Sequence, residues 1–390
     1  MAQLALTKTA LLTPFALVEE ATVLIDQGKI QAVGPYDQLP IPPGFREVPL
    51  DGLVLAPGLI DQHLHGGNGA AVMNGSTGQL VEIAKFHAAN GVTSFLATAT
   101  TGTRDQLVSV AKAFAALKTI DYKGARCLGL HLEGPYLSPS RPGIHPVDNL
   151  RLPNLEEVLT LHQISGQGVK MVTMAPELPG ALKMAAALLE EGMVVSIGHS
   201  DADYDTAKAA ILAGFCCATH CFNQMRPFHH REPGVLGAVL TETPFPLELI
   251  ADGVHLHPAT LEMAWRMKGA EQLILVSDAM APAGLHDGLY TMPEGQFTLE
   301  KQRLSDASGR LAGGVGTLIG AVKRMFEQTQ CDLTGAFRMA TYNPARLLGI
   351  NKRKGSIYPG KDADIIALTP DLDIVMTMVG GEVISGLITL

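Results

Sequence analysis

Short apolar stretches alternate with amphipathic stretches through most of the chain, from about residue 57 to residue 349. The apolar stretches are uninterrupted, which is typical of parallel strands covered on both faces. The amphipathic stretches have the apolar spacing of helices that pack one face on a sheet. This alternation predicts an α/β chain in which eight strand–helix repeats form a (β/α)8 barrel of the TIM type.

The boundaries of these repeats follow from the same pattern. The eight predicted strands end at Asp61–His65, Ala97–Thr100, Leu130–Glu133, Val172–Ala175, Ser196–His199, Thr219–Asn223, Ile250–His255 and Val276–Asp278. Helices are predicted at Gly78–Asn90, Asp105–Leu117, Leu155–Gly166, Pro179–Glu191, Asp203–Ala213, Pro258–Lys268 and Thr317–Gln330. Ser76 precedes the first of them and is a candidate N-cap.

Both ends of the chain have a different pattern, made of short strands and turns. The predicted strands there include Val23–Ile25, Ile30–Val33, Asp364–Leu368 and Ile374–Val379. The first two flank a glycine-containing turn, which predicts a hairpin. We therefore predict that residues 1–55 and 350–390 pair as one small β-sandwich-like domain, and that residues 56–349 form the barrel.

The composition suits a large buried core without a membrane span. The 390 residues are 47% hydrophobic and 17% charged, and the mean hydropathy is +0.19. No apolar run approaches the roughly 18 residues of a spanning helix, and the N-terminus lacks the order of segments of a signal peptide. The five cysteines are odd in number and three crowd into one short segment. We therefore expect reduced thiols and a cytoplasmic protein.

The charge balance excludes one class of partner and constrains another. The formal net charge is −9 and there is no long basic stretch, so we expect no nucleic acid partner. An anionic substrate would need a local cationic pocket on this acidic chain.

The first predicted strand ends in the run PGLIDQHLHGG. Residues i and i+2 of a strand point to the same side, so His63 and His65 can both face the barrel mouth. Two converging imidazoles suit a divalent metal such as zinc or iron. Alone, a His-x-His of this kind is more often a pair of hydrogen-bonded strand histidines.

Five further strands end in groups that bind metals or carry protons. These groups are His131 and Glu133, His199, His220, Asp252 and His255, and Asp278. The C-terminal ends of barrel strands meet at one rim, where barrel enzymes place their active sites. Burying so many polar groups without partners would cost roughly 1–3 kcal/mol each. The pattern therefore predicts a metal site.

These segments resemble the amidohydrolase superfamily and, within it, the N-acetylglucosamine-6-phosphate deacetylases. The matching runs are, in the family's order, PGLIDQHLHG, HLEGPYL, GHSDA, THCFNQM, REPG, DGVHLHP, LVSDAMAPAG and NPARLLG. The resemblance implies hydrolysis of N-acetylglucosamine 6-phosphate to glucosamine 6-phosphate and acetate, in amino-sugar catabolism or recycling. N-acetylgalactosamine 6-phosphate and the amides of other amidohydrolases remain alternative substrates. A catalytically silent sugar-phosphate sensor is the remaining rival, although such a barrel would usually have lost ligands.

The resemblance also implies the metal ligands. One metal would be held by His63, His65, Glu133 and Asp278, and a second by Glu133, His199 and His220. Some members of the family lack the two histidines of the first strand and use a single metal. Both are present here, so we expect two divalent metals per subunit, zinc or iron.

The remaining site residues are assigned by the same resemblance. Asp278 would act as base and then as acid, and His145 would steady the oxyanion. Arg231 would bind the phosphate, either of its own subunit or of the neighbour in a homodimer. The further substrate-binding residues implied are Ile144, Asn223, Gln224, His255, Leu311, Ala312 and Gly313. The length and glycines of Gly284–Gly316 predict a loop that closes over the sugar.

Overall fold

The computed structural model describes residues 3–386; residues 1–2 and 387–390, the outermost parts of the predicted small domain, lie outside the described residues. The strands are β1 Leu4–Leu12, β2 Leu17–Asp26, β3 Lys29–Pro35, β4 Arg46–Pro49, β5 Val54–Pro57, β6 Leu59–Leu64, β7 Gly66–Gly67, β8 Ala70–Ala71, β9 Val92–Ala99, β10 Arg126–Glu133, β11 Val169–Met174, β12 Val194–Ile197, β13 Cys217–Ala218, β14 Leu247–Leu249, β15 Leu273–Leu275, β16 Gly288–Met292, β17 Gly295–Glu300, β18 Arg303–Ser305, β19 Ile365–Leu368, β20 Ile374–Val379 and β21 Glu382–Gly386. The helices are α1 Thr77–Ala89, α2 Arg104–Leu117, α3 Leu155–Ile164, α4 Ala181–Glu190, α5 Tyr204–Leu212, α6 Gly234–Thr241, α7 Pro258–Lys268, α8 Leu318–Gln328, α9 Leu333–Met339 and α10 Tyr342–Leu347.

Eight parallel strands form the barrel, in the order β6-β9-β10-β11-β12-β13-β14-β15. Every residue of β6 and β9 is buried, as expected for strands covered on both faces. Beyond the end of β15, the Asp278 N–H donates to the His63 carbonyl over 2.9 Å, which brings the last strand back to the first. The nearly closed barrel confirms the predicted fold class.

The seven predicted helices are present, and three further helices, α6, α9 and α10, lie outside the prediction. Ser76 occupies the N-cap position of α1, but its side chain makes no capping hydrogen bond. Helix α6 was not predicted, because its residues from Gly234 to Leu240 are all buried and the amphipathic signal is absent. Among the helices that the structure describes, none is long and apolar enough to cross a bilayer.

Three of the predicted strand-end segments lie wholly beyond the strands that the structure shows. The predicted strand ends Thr219–Asn223, Ile250–His255 and Val276–Asp278 lie beyond β13, β14 and β15. The backbone turns left-handed at His220 (φ 27°) and Asp278 (φ 49°), a conformation that no strand can continue through. The polar groups of these segments therefore stand on turns just past the strands.

Strands from both ends of the chain form one mixed sheet, in the order β21-β20-β19-β5-β1-β2-β3, with β4 beside β1. This confirms the predicted β-rich satellite, and its hydrophobic cluster is separate from that of the barrel. Because β1 pairs with β2, β4 and β5, the sheet is branched. The boundaries drawn at residues 55/56 and 349/350, and the sandwich-like arrangement, stay predictions.

The segment Gly284–Gly316 is more ordered than the predicted loop. It contains the antiparallel sheet β16-β17-β18, here called the flap, which has a small apolar core of its own. Glu294, in the turn of the flap, accepts a 2.7 Å hydrogen bond from the Thr100 hydroxyl at the barrel rim. The predicted loop thus contains regular strands, because alternating residues of β17 supply a buried face; its closing over the sugar stays a prediction.

Candidate metal and substrate site

Six side chains meet at the C-terminal end of the barrel. Each is at most 7% exposed, and the six are the predicted ligands His63, His65, Glu133, His199, His220 and Asp278. They come from the ends of β6, β10, β12, β13 and β15. The parallel barrel brings these distant positions together, because its strands all end at the same rim.

Glu133 lies at the centre of the cluster and presents one carboxylate oxygen to each side. Its Oε2 lies 3.2 Å from His65 Nε2 and 3.5 Å from His63 Nε2. Its Oε1 lies 2.8 Å from His220 Nε2 and 3.2 Å from His199 Nε2. This is the arrangement of a carboxylate that bridges two positions.

Asp278 completes the first of the two positions. Its Oδ1 lies 3.0 Å from His65 Nε2 and 3.4 Å from His63 Nε2. The cluster thus divides into a group of His63, His65, Glu133 and Asp278, here called position one, and a group of Glu133, His199 and His220, here called position two. This division is the one that the sequence resemblance implied.

The contacts of Nδ1, on the side of each predicted ligand imidazole away from the cluster, show which ring nitrogen carries the proton. The Nδ1 of His65 lies 3.0 Å from the Thr98 carbonyl, and the Nδ1 of His199 lies 2.8 Å from the Arg141 carbonyl. A carbonyl only accepts, so each Nδ1 carries a proton. In a neutral ring Nε2 then has a lone pair directed into the cluster, as in histidines that bind metals.

His63 is arranged in the same way, with a carboxylate as its acceptor. Its Nδ1 lies 3.0 Å from Glu248 Oε2, and its Nε2 lies 3.2 Å from His65 Nε2. Two neutral rings with protons on Nδ1 have no proton to share across that gap. Lone pairs that converge beside two carboxylates are the donor set of a divalent cation, so these residues fit a metal.

The carboxylates and imidazoles of the cluster shift one another's pKa values. Burial raises the pKa of Glu133, but the charge of His63 and the hydrogen bonds from His145, His199 and His220 outweigh it and hold the pKa well below its usual range. Burial lowers the pKa of His65, but its hydrogen bonds to Asp278 and Glu133 raise it to about 9. Protons and a metal cation therefore compete for the same lone pairs.

His145 has the opposite tautomer. The backbone N–H of Thr101 donates to its Nδ1 over 3.1 Å, so a neutral His145 carries its proton on Nε2. That Nε2 lies 3.5 Å from Glu133 Oε2. His145 also lies within reach of Glu133 and His199 as a third ligand group, but a protonated Nε2 makes it a hydrogen-bond donor to the site.

A cavity of about 230 Å³ opens above the cluster. Its walls include most of the predicted substrate-binding residues, namely Ile144, His145, Asn223, Gln224, His255, Leu311 and Gly313. Ala312 is wholly buried and does not line it. A Cβ on Gly313 would lie 2.9 Å from the Asp278 carbonyl oxygen, so only glycine lets this segment approach so closely.

Arg231 is not part of this cavity. It lies in an exposed turn, where its Nη1 is 2.8 Å from His230 Nε2. Within residues 3–386, the one Lys or Arg that lines the cavity is Arg310, which the sequence analysis passed over. The Arg310 Nη1 donates to the Gly143 carbonyl over 3.1 Å, beside the His145 loop.

Other residues that the sequence analysis missed support the site from behind. Thr98, Thr101 and Arg141 fix the imidazoles through backbone groups, which leave no signal in side-chain chemistry. Glu248 could have been found, because it is a lone charged residue in the apolar stretch of β14. Asp252, which the sequence analysis did name among the groups at the strand ends, supports His255: burial lowers the pKa of this histidine, but the 2.7 Å hydrogen bond to Asp252 raises it above its usual value.

Comparisons with known proteins agree with this geometry. Residues 54–384 match the profile of the Amidohydrolase family. An N-acetylglucosamine-6-phosphate deacetylase of Bacillus subtilis (strain 168) is 37% identical over 96% of this chain and 95% of its own length. An N-acetylgalactosamine-6-phosphate deacetylase of Escherichia coli O157:H7 is 36% identical over 96% and 97%. A solved structure of a Mycobacterium smegmatis N-acetyl-D-glucosamine-6-phosphate deacetylase variant, in complex with N-acetyl-D-glucosamine-6-phosphate, superimposes with a TM-score of 0.92 at 31% identity, over 98% of this chain and all of the other.

Proposed function

Because this chain belongs to the amidohydrolase family and is a homologue of its N-acetylglucosamine-6-phosphate deacetylases, we propose that it hydrolyses N-acetylglucosamine 6-phosphate to glucosamine 6-phosphate and acetate. One observation carries the proposal: Glu133 divides its two oxygens between two pairs of imidazoles at the floor of a polar cavity. The reaction would serve amino-sugar catabolism or recycling, in the cytoplasm.

Two divalent metals, zinc or iron, would be held by the chain's six ligands. His63, His65, Glu133 and Asp278 would hold the first, and Glu133, His199 and His220 would hold the second. A bound metal supplies water with a pKa lowered to about 7 and polarises the acetyl carbonyl. The free Nε2 lone pairs support this assignment.

Asp278 would move the proton. Burial raises the pKa of this carboxyl, but the charge of His63 and the hydrogen bond from His65 lower it to about 2, so the group is ionised and ready to accept. Asp278 takes the proton of the attacking water and then delivers it to the departing sugar amine, as base and then acid. Its place in the cavity wall supports contact with both partners.

His145 would stabilise the negative charge that develops on the acetyl oxygen. Its Nε2–H points into the site while Thr101 holds Nδ1. A donor that is already oriented needs no rearrangement as the charge develops, which is the basis of oxyanion stabilisation.

The sugar phosphate would be recognised at the upper rim. Asn223, Gln224 and His255 line the cavity. The hydrogen bond to Asp252 raises the pKa of His255, which favours its positively charged form. Arg231 would join them from the neighbouring subunit of a homodimer. Its exposed position, and its absence from the lining of the cavity in its own chain, support this.

The flap segment would contact the sugar through its backbone. Leu311, Ala312 and Gly313 follow the flap directly, and the wholly buried Ala312 side chain leaves only its peptide groups for recognition. The close approach of Gly313 to Asp278 supports a contact near the reacting group.

Acetate release by metal-loaded protein tests the proposal, with N-acetylglucosamine 6-phosphate beside the unphosphorylated sugar. We expect rapid turnover of the phosphate alone. No turnover of either would contradict the substrate assignment, and a wider panel of amides would follow. N-acetylgalactosamine 6-phosphate belongs in the same assay as the second candidate, because the Escherichia coli O157:H7 relative with that name is nearly as similar as the Bacillus subtilis one.

A further inference from the structure

Glu248 is a buried carboxylate directly behind the ligand cluster. It lies on β14, its exposed fraction is 0%, and it does not face the cavity. Its Oε2 lies 3.0 Å from His63 Nδ1 and also accepts the His220 backbone N–H over 3.2 Å. Its Oε1 accepts from the Gln62 amide over 2.7 Å. One oxygen thus contacts a ligand of position one and the backbone of a ligand of position two.

Building on the two metal positions proposed above, we propose that Glu248 is a positioning residue that fixes the tautomer of His63 and links the two positions through its shared oxygen. A carboxylate at Nδ1 keeps the proton there and leaves Nε2 unprotonated, turned toward Glu133 and Asp278. Outer carboxylates of this kind orient metal-binding histidines and raise their basicity. Glu248 is therefore part of what makes position one able to hold a cation.

The charge balance points the same way. Among the described residues, the hydrogen-bond donors to Glu248 are a side-chain amide, a backbone amide and an imidazole, and none of them is a Lys or Arg. A buried charge is costly unless it is paired. A cation bound to His63 Nε2 would take the place of a proton there and supply positive charge to Glu248 through the ring. Carboxylate and metal would then stabilise each other.

Two substitutions separate the acceptor from the charge. Glu248→Met keeps the length of the side chain and removes the acceptor. The proton of His63 can then move from Nδ1 to Nε2, and Nε2 no longer has a lone pair for a metal. Glu248→Gln removes the charge but keeps one acceptor oxygen. The amide of Gln62 can turn to meet it, since Gln62 Oε1 has no hydrogen-bond partner among the described residues. We expect the Gln variant to fall between wild type and Met.

Stepwise metal affinity is the direct test. Folded protein would be equilibrated with graded free Zn²⁺, and the bound metal per chain would be counted. For Glu248→Met we expect the dissociation constant of one metal to rise by about 10–100-fold, with a smaller change for the other. Asp364→Asn is the matched control, because Asp364 is a buried carboxylate of the satellite sheet paired with Lys354. Its metal binding should equal that of the wild type.

A second background, the His65→Asn variant, identifies which metal position responds to Glu248→Met. His65→Asn removes a ligand of position one, so the metal still bound in that background reports position two, and adding Glu248→Met should change its affinity little. Unchanged binding in both Glu248→Met and Glu248→Gln, or a large loss of the remaining metal when Glu248→Met is added to His65→Asn, would overturn the proposal. Since deacetylation is not measured, a wild type that binds two metals without releasing acetate would contradict the proposed substrate and leave this inference standing.

Discussion

The ligand cluster at the floor of the cavity differs from the phosphate rim, here meaning Asn223, Gln224, Arg231 and His255. Both were assigned from the same resemblance. All six predicted metal ligands of one chain meet in one cluster with Glu133 at its centre, and they are nearly inaccessible to solvent. At the rim, Asn223, Gln224 and His255 line the cavity, whereas Arg231 lies outside it in an exposed turn. The residues predicted for the floor meet within one chain, whereas those predicted for the rim do not all meet there.

The difference follows from what holds each region. The ligands stand at or just beyond strand ends, where neighbouring strands of the barrel fix the backbone. Arg231 belongs to a long turn between β13 and α6, where its guanidinium contacts only the neighbouring His230 among described side chains. Chemistry that must be placed accurately is built on the barrel, and substrate selection is assigned to loops.

The largest expected effect is the loss of proton transfer at Asp278, which is measured separately from metal binding at the floor of the cavity. Asp278→Asn should lower kcat by about 10²–10⁴-fold, because an amide cannot accept the proton of water. Turnover of the sugar phosphate would be measured together with metal content. The exposed Asp373→Asn is a control for the same chemical change. A variant with normal kcat would show that another group carries the proton.

The next largest effect tests whether His145 acts as a hydrogen-bond donor or as a metal ligand. His145→Ala should lower kcat by about 10²–10³-fold and leave the metal content unchanged. His199→Ala, which removes a predicted ligand, should lower the metal content as well. If His145→Ala also loses metal, then His145 is a ligand and its assigned tautomer is wrong.

At the rim, Arg231→Ala should raise KM for the phosphorylated sugar by about 10–100-fold, the equivalent of a charged hydrogen bond of about 1.5–3 kcal/mol. Turnover of the unphosphorylated sugar should not change. Arg104→Ala, a distant and exposed substitution, is the control.

A mixed dimer then shows which subunit supplies Arg231. Co-expression of Arg231→Ala chains with Asp278→Asn chains gives mixed dimers. If the arginine acts across the interface, one site of each mixed dimer carries both defects and the other is intact, so activity returns. If the arginine acts within its own chain, both sites remain defective and no activity returns.

The smallest effect is a pH dependence at the rim. The hydrogen bond to Asp252 outweighs burial and raises the pKa of His255, so the positive charge is present below the raised pKa and is lost as pH rises through it. Asp252→Asn should therefore shift the rise of KM for the phosphorylated sugar to lower pH. At neutral pH we expect an increase of about fivefold, near 1 kcal/mol. A KM profile that matches the wild type would show that His255 does not act through its charge.

The sequence predicted the floor better than the rim for physical reasons. The alternation of strands and helices defines the barrel, and groups at strand ends must converge on its mouth. The early ends of β13 and β15 could not be predicted, because the left-handed turns at His220 and Asp278 are sustained by tertiary contacts. Helix α6 lacked a polar face. The position of Arg231 depends on long-range packing of its turn, which local periodicity does not encode.

The pairing of β5 with β19 has a consequence for how this protein is made. β5 leads through Gly58 into β6, whose C-terminal end carries His63 and His65, and it is flanked by β1 on one side and by β19 on the other. During synthesis β1 emerges early, whereas β19 emerges only after the whole barrel. The strand that anchors the first two ligands therefore has an open edge while the nascent chain grows. That edge is covered only after β19, near the C-terminal end of the described residues, has been synthesised.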